Sequence, residues 1–499
     1  MTQARFSRRQ VLKRLASLGA IGAMGSLRSF SLFANEQRGH PTGALPGVKG
    51  RVVHRYDDDY EAVRQSIVWH KSKPGRYPDV IVQARSEQDV INAVKFAAKN
   101  NLKVTTRSGG HKSTGVSLRD GGLLVDVFSL NDIQIDVNRK MASVQSGVKS
   151  AHLISVANEQ GLAFPVPHCP SVALGGFLMG GGFGWNYAHR GGMSCFSVEA
   201  AEIVTGEGKL LMASADQNSD LLWAVRGAGP GFFGVVTRFH LKLYPMPTSI
   251  LVSSYIHSLD NLEKVTKSLD KIMKTRDERV EVITLLMHNP EAPSDAPPES
   301  SKICMVTAFA FGNSDQETRS LLEPFSKSDL ARNTLAKVET NPYTFAELYG
   351  KFFSQNVAAG MRARYAVDNV ITDDPGGTLR ALAEHFKQST SVHNHVLAAY
   401  GTKMKARDDA CFSSIGDTFV GCYAIWEDEK EDEMHFQWLD KTLPLIDPFA
   451  NGHYVNEVES RRHPERIAKC FSKENWRRLQ ALRHKYDPNG VFHDYLGHG

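Results

Sequence analysis

Arg107-Ser108-Gly109-Gly110-His111-Lys112-Ser113-Thr114-Gly115-Val116-Ser117 follows directly on the short run Lys103 to Thr106. That run reads as a strand, and the glycine pair after it lets the backbone turn through positive φ. Successive N–H groups then face one way and form a concave donor surface for anionic oxygens. Ser108, Ser113 and Ser117 add hydroxyl donors. The stretch therefore offers a cradle for a diphosphate, with one imidazole, His111, at its edge. Taken alone it is nonspecific, because a Gly-Gly turn beside a histidine is a common loop.

Upstream of the cradle, residues 35–75 read as a polar lead-in followed by a short helix. Val80-Ile81-Val82 reads as a buried strand. Ser86-Glu87-Gln88-Asp89 is a capping box, opening a helix whose apolar stripe is Val90, Val94, Ala97 and Ala98. Downstream, apolar runs at Leu123–Val127 and Ala142–Val144 precede a helix over Ala151–Glu159. Glu202–Val204 and Leu210–Met212 flank Thr205-Gly206-Glu207-Gly208, a hairpin signal, and Gly234–Leu243 reads as a strand ended by Pro245 and Pro247. From Ile250 the texture changes. Strand-like runs (Ile250–Ile256, Val282–Met287, Ile303–Phe311) alternate with helical stretches such as Leu262–Lys274. This predicts a sheet with helices on one face. Pro290–Ser301 is an exposed loop by composition, and a C-terminal helix around Trp476–Leu482 stops at Tyr486-Asp487-Pro488-Asn489-Gly490.

Two further stretches carry chemistry. The first is His168-Cys169-Pro170-Ser171-Val172-Ala173-Leu174-Gly175-Gly176-Phe177-Leu178-Met179-Gly180-Gly181-Gly182-Phe183-Gly184-Trp185-Asn186. Its glycines are too dense for a helix or a central strand, so backbone here is expected to pass close to something flat or charged. The second is Asp220-Leu221-Leu222-Trp223-Ala224-Val225-Arg226-Gly227-Ala228-Gly229, continuing to Phe232-Phe233-Gly234-Val235-Val236-Thr237.

The formal charge is +5, but residues 1–34 carry six basic side chains and no acidic one, and the rest has 53 basic against 54 acidic residues. A nearly neutral mature chain has no electrostatic footprint for nucleic acid. The start, Ser7-Arg8-Arg9-Gln10-Val11-Leu12-Lys13 before a weakly apolar run from Leu15 to Leu27, is that of a secretion signal, too short and too glycine-rich to span a membrane. It resembles a twin-arginine export signal, with cleavage expected near Ala34. That pathway implies a partner, the twin-arginine translocation machinery, a periplasmic or otherwise exported location, and no permanent membrane anchor. Six scattered cysteines, with no C-x-x-C pair, argue against structural zinc and against a disulfide scaffold, and no metal site is expected.

The three glycine-marked stretches, in this order and spacing, resemble the berberine bridge enzyme family of FAD oxidoreductases, within the vanillyl-alcohol oxidase type. The resemblance runs from about Pro78 to Pro245 and resumes at Tyr454-Val455-Asn456-Glu457 and Lys485-Tyr486-Asp487-Pro488. It implies an α+β fold with a two-part FAD-binding domain of the vanillyl-alcohol oxidase/PCMH type. An α+β substrate domain with an antiparallel sheet covered by helices would follow. The implied division is a signal peptide over 1–34, the FAD-binding domain over 35–247, the substrate-binding domain over 248–450, and a C-terminal segment over 451–499 that returns to the FAD domain.

Residue by residue, His111 matches the histidine that bonds to the flavin 8α-methyl carbon, chemistry that suits a neutral imidazole. Cys169 matches a second attachment point, a thioether to flavin C6, which only part of the family has. The resemblance further implies that Arg107, Ser108, Gly109, Gly110, Ser113, Gly115 and Ser117 hold the diphosphate and ribityl chain. Val172, Leu174, Gly176, Gly180, Gly181, Gly184, Asn186 and Val235, with Tyr454 and Asn456, would line the rest of FAD. The matched strand Tyr454–Glu457 would bring active-site groups over the flavin, making Tyr454 and Glu457 candidates for proton transfer. Leu174 falls near the flavin face that meets oxygen, where relatives that use oxygen poorly carry leucine, which favours a dehydrogenase over an oxidase. The sequence departs from the family pattern at Pro167, Ala173, Phe177 and Cys195-Phe196-Ser197.

Three weaker motifs are set aside. Gly206-Glu207-Gly208-Lys209 lacks the hydroxyl residue and the upstream glycine of a phosphate loop. Gly180–Gly184 does not open a nicotinamide-type helix. His393-Asn394-His395 places its rings on opposite faces of a strand, unsuited to sharing a metal. Two functions then stand open. One is an oxidoreductase passing a hydride from a small alcohol, sugar, amine or phenolic/alkaloid-like substrate to covalent flavin, and from there to oxygen or another acceptor. The other is a flavin-containing protein that sequesters a small toxic compound.

Overall fold

The computed structural model describes residues 45–292, 301–348, 363–401 and 406–497. The export signal expected over residues 1–34 lies outside them, as does most of the loop expected at Pro290–Ser301.

The first layer is a four-stranded sheet of β1 (Arg51–His54), β2 (Val80–Gln83), β3 (Val104–Arg107) and β4 (Leu123–Asp126), in the order β1-β2-β4-β3. β2 and β3 both run parallel to β4, while β1 lies antiparallel on β2. Parallel neighbours need a crossover, and the helix Glu87–Lys99 supplies it between β2 and β3. The expected capping box is present: Ser86 Oγ accepts from Asp89 N, and the Asp89 carboxylate accepts from Ser86 N. The helix buries Val90, Ala93, Val94 and Ala97 against Val80, Val82, Leu123 and Val125. This fixes where β3 ends, and the glycine cradle leaves the sheet at that end.

A second sheet follows, of β5 (Ile133–Asp136), β6 (Met141–Gln145), β8 (Val198–Val204), β9 (Leu210–Ser214) and β10 (Val235–Lys242), in the order β5-β6-β10-β8-β9. A short pair, β7 (Leu162–Ala163) with β11 (Tyr244–Pro245), lies apart from it. The hairpin read at Thr205–Gly208 joins β8 to β9, with Val204 opposite Leu210. The glycine-dense stretch corrects one expectation, because Leu174–Met179 is a short helix that includes Gly175 and Gly176. A Cβ on Gly175 would stand 2.8 Å from Ser108 Oγ and 3.0 Å from Ser146 O. Glycine is required there for close approach to the cradle, and a helix accommodates that as readily as a loop.

The chain then builds a seven-stranded antiparallel sheet. Its members are β12 (Ser249–Ser258), β13 (Val280–His288), β14 (Lys302–Gly312), β15 (Ala336–Pro342), β16 (Arg364–Thr372), β17 (His395–Tyr400) and β18 (Thr418–Trp426), in the order β15-β12-β14-β13-β17-β18-β16. Side chains alternate cleanly across it. Val282, Leu286, Cys304, Val306, Ala308, Val396, Ala398, Val420 and Cys422 pack in one core with residues of the helices Leu262–Met273, Asp315–Ser326, Pro375–Lys387 and Asp432–Ile446. The alternate residues Ile283, Leu285, Met287, Met305, Thr307, Phe309, Leu397 and Phe419 face a cavity instead.

The C-terminal segment ties the layers together. Gly452 bridges Ile371 of β16, while Phe492 bridges Val104 of β3, with Val104 N donating to Val491 O. Between these points runs the helix Lys473–Tyr486, capped by Ser472. No helix among the described residues is long and apolar enough to cross a membrane.

Candidate active-site cleft

A cavity of about 790 Å³ runs from the end of β3 to the uncovered face of the seven-stranded sheet. Its size is that of a cofactor and small-molecule site. Ser108, Gly109, Gly110, His111, Ser113 and Ser117 of the cradle form one wall, joined by Cys169, Val172 and Gly176. Gly110 has φ +71°, and a Cβ there would stand 2.0 Å from Ile67 O, so only glycine serves. The Ser108 hydroxyl donates to Ser146 O and the Ser117 hydroxyl to Thr106 O, which pins the loop to the neighbouring strands.

The His111 ring stacks on Trp69, with centroids 4.6 Å apart. Its Nε2 lies 3.2 Å from Ser171 Oγ, and Cys169 Sγ lies 3.3 Å from the same oxygen. Burial lowers the His111 pKa to about 4, so the ring is neutral across the physiological range. Burial moves the Cys169 thiol the other way, above its usual value.

At the far end, Tyr423 Oη donates to Glu457 Oε2 at 2.5 Å. Burial raises the Glu457 pKa, opposed by that hydrogen bond and by the charges of Lys112 and His168. Tyr423 stacks on Tyr365 on one side and on His395 on the other. Lys112 is half-buried, desolvation lowers its pKa to about 8, and Nζ donates to Val455 O at 2.7 Å. That contact brackets the turn carrying Glu457. The expected strand Tyr454–Glu457 is corrected here: Val455–Glu457 is a single 3-10 turn, with Glu457 N donating to Tyr454 O. Asn456 Nδ2 donates to Gly176 O and to Tyr454 Oη, so both side chains face the cradle wall.

The remaining candidates fall behind the wall. Arg107 is buried in an ion pair with Asp126 and stacks over Phe128. Leu174 lies fully buried in the core, its N–H on Val148 O. Gly115 backs onto Pro74, Gly180 onto Asn456, Gly181 onto Phe412 and Gly184 onto Pro165 O, each a point of close approach. Val235 is core, between Gly234 and Val236, which do line the cavity. Asn186 borders a separate small cleft, and its N–H donates to Glu281 Oε2.

Several cavity residues escaped the sequence reading. Trp69, Tyr365, His395 and Tyr423 stand singly in otherwise ordinary stretches, while Ser171, beside His111, and His168, which pairs with Glu281 of β13, lie unmarked within the glycine-dense stretch. In the sequence, His395 stands out only as a poor metal ligand. Its ring is half-buried in the cavity wall and stacked on Tyr423, while the His393 side chain at the cavity rim is 44% exposed.

The polar lining is not self-satisfied. Trp69 Nε1 and Ser113 Oγ are buried at the cradle with no protein partner, and the space a Cβ would take at Gly176 is open. Such orphaned donors beside open backbone suit a polar ligand.

Residues 78–214 match a family model described as an FAD binding domain. The chain is 29% identical over 447 residues to the FAD-linked oxidoreductase nodO of Hypoxylon pulicicidum, covering 87% of this chain and 93% of the relative. It is 34% identical over 204 residues to (R)-6-hydroxynicotine oxidase of Paenarthrobacter nicotinovorans, covering 41% of this chain and 43% of the relative. Among solved structures, berberine bridge enzyme from Eschscholzia californica superposes with a TM-score of 0.77 at 20% identity, over 90% of this chain and 96% of that one. The α+β fold is therefore that of the berberine bridge enzyme-like, vanillyl-alcohol oxidase type.

Proposed function

We propose that this chain, an FAD-dependent oxidoreductase acting on a small organic substrate, carries its FAD on His111 and uses Glu457 as the proton acceptor in substrate oxidation. The residues present fit FAD. The cradle offers backbone and the hydroxyls of Ser108, Ser113 and Ser117, and its unpartnered Ser113 and Trp69 donors ask for a polar ligand. His111, kept neutral by burial, supplies a lone pair for attachment, and Cys169, whose Sγ shares the Ser171 hydroxyl with the His111 ring, stands beside it as a second anchor. Bound FAD would supply a two-electron acceptor for hydride.

The chain's own residues do the rest. Ile283, Leu285, Met305, Phe309, Leu397 and Phe419 make an apolar wall that receives a ring system and excludes water. Glu457 takes the proton from a substrate hydroxyl or amine as its C–H is oxidised, because a raised pKa makes its carboxylate a stronger base than a free glutamate. Tyr423 fixes the orientation of that carboxylate. The observation that carries the reading is that His111 and the Tyr423–Glu457 pair line one continuous cavity. The test is anaerobic addition of a panel of phenols, secondary amines and hydroxylated N-heterocycles to the purified yellow protein. A substrate should bleach the flavin absorbance, whereas tight binding with no bleaching across the panel would argue for sequestration instead.

The twin-arginine signal read at Ser7–Lys13 supports export of the folded, cofactor-loaded chain to the periplasm through the twin-arginine machinery. The buried Leu174 leaves the choice between oxygen and another acceptor to stopped-flow reoxidation, where slow reaction with air would favour a dehydrogenase.

A further inference from the structure

The imidazole of His111 is held from two sides by residues outside the cradle motif. The Trp69 indole lies against one ring face, 23° from parallel. Trp69 is itself fixed through its backbone, whose N–H donates to Gly110 O at 3.0 Å, within the cradle turn. At the ring edge, Ser171 Oγ stands 3.2 Å from Nε2, and the same oxygen lies 3.3 Å from Cys169 Sγ. A hydroxyl has one proton to give and two lone pairs to receive, so Ser171 can engage both neighbours at once. It is also the largest influence opposing the burial that raises the Cys169 thiol. Turning the imidazole about Cβ–Cγ would break the Ser171 contact and the stack together.

We propose that Ser171 and Trp69 are positioning residues for flavin attachment, holding the His111 ring in the one orientation from which it bonds. The inference rests on the covalent reading of His111 given above. In the attachment, one imidazole N–H and one flavin methyl C–H are exchanged for an N–C bond, and the two electrons and two protons leave on dioxygen as hydrogen peroxide. Ser171 and Trp69 gain and lose no atoms in this exchange. They act by restricting the ring before the bond forms, which is how fixed geometry speeds a bond-forming step.

The experiment follows full-length protein after synthesis is blocked in the expressing cells. Intact mass counts the chains carrying flavin at each time, peptide mapping assigns the flavin to His111, and absorbance of the native protein reports total FAD. Ser171→Ala should slow attachment about tenfold, the scale expected for one lost hydrogen bond to a reacting group. Ser171→Thr should restore the rate, and Trp69→Leu should slow it when the rate is counted per chain that holds FAD. Wild-type rates in both Ser171→Ala and Trp69→Leu would overturn the proposal. Should Ser171→Ala fail to accumulate, Ser171→Thr and Trp69→Leu decide: slow attachment in the first or normal attachment in the second counts against it. Wild-type protein with no flavin at His111 would instead sink the covalent reading itself, and is told apart because it is seen without any substitution.

Discussion

Burial drives His111 and Glu457 to the same end by opposite shifts. It lowers the imidazole pKa and raises that of the carboxyl, so both favour their uncharged forms. For His111 that form is the nucleophile of the proposed attachment. For Glu457 it is the form that cannot accept a proton, so the groups around it set the working pH. Tyr423, Lys112 and His168 lower its pKa, while Tyr365 and Tyr454 stand close enough to feel its charge. Glu457→Gln should slow anaerobic flavin reduction by roughly a hundredfold or more, the usual scale for a lost general base; an unchanged reduction rate would remove Glu457 from the chemistry. The pH dependence follows from the sign. Below the raised Glu457 pKa the base is protonated, so reduction should rise with pH along a limb above the ~4.3 of a free glutamate. Lys112→Met deletes a lowering charge and should move that limb to still higher pH, read in stopped-flow rates across a pH series. A limb that stays put would show that Lys112 only braces the turn.

At the scale of elements, the active-site turn depends on a buried ion cluster behind it. Arg466 is 2% exposed, pairing with Asp368 of β16, which is fully buried, and with Asp447. Arg466 Nη2 also reaches His453 Nδ1, one residue before Tyr454, and Asn369 Nδ2 donates to Tyr454 O. Arg466→Met would leave Asp368 buried without its partner and should cost about 3–5 kcal/mol in denaturant unfolding. Adding Asp368→Asn should recover part of that loss, and full stability in the single variant would contradict the account. The same element shows what a sequence reveals. The capping box, the β8–β9 hairpin and the cradle are legible because Gly, Pro and Ser act on their immediate neighbours. Tyr423, Tyr365 and Trp69 carry no such local mark. They enter the site because strand alternation and the chain's return at Gly452 and Phe492 bring distant residues to one cavity. The helix at Leu174–Met179 was hidden because glycine there serves close packing, which composition alone reads as irregular backbone.

Across the whole molecule, the cavity is closed on one side by the cradle and on the other by a sheet built some 170 residues later in the chain (His111 against Ile283). A site assembled that way exists only in the folded chain, which fits the export after folding and cofactor loading proposed above. Changing Arg8 and Arg9 together to lysine should hold the precursor in the cytoplasm, seen by cell fractionation, and normal export of that variant would refute the signal. The most direct test of the account as a whole is acid precipitation of the natively expressed protein, with absorbance read in pellet and supernatant. The yellow flavin should stay with the pellet, and His111→Ala should send it to the supernatant, apart from any fraction held by Cys169. A native protein that is colourless, or one whose pigment all leaves the wild-type chain in acid, would contradict it.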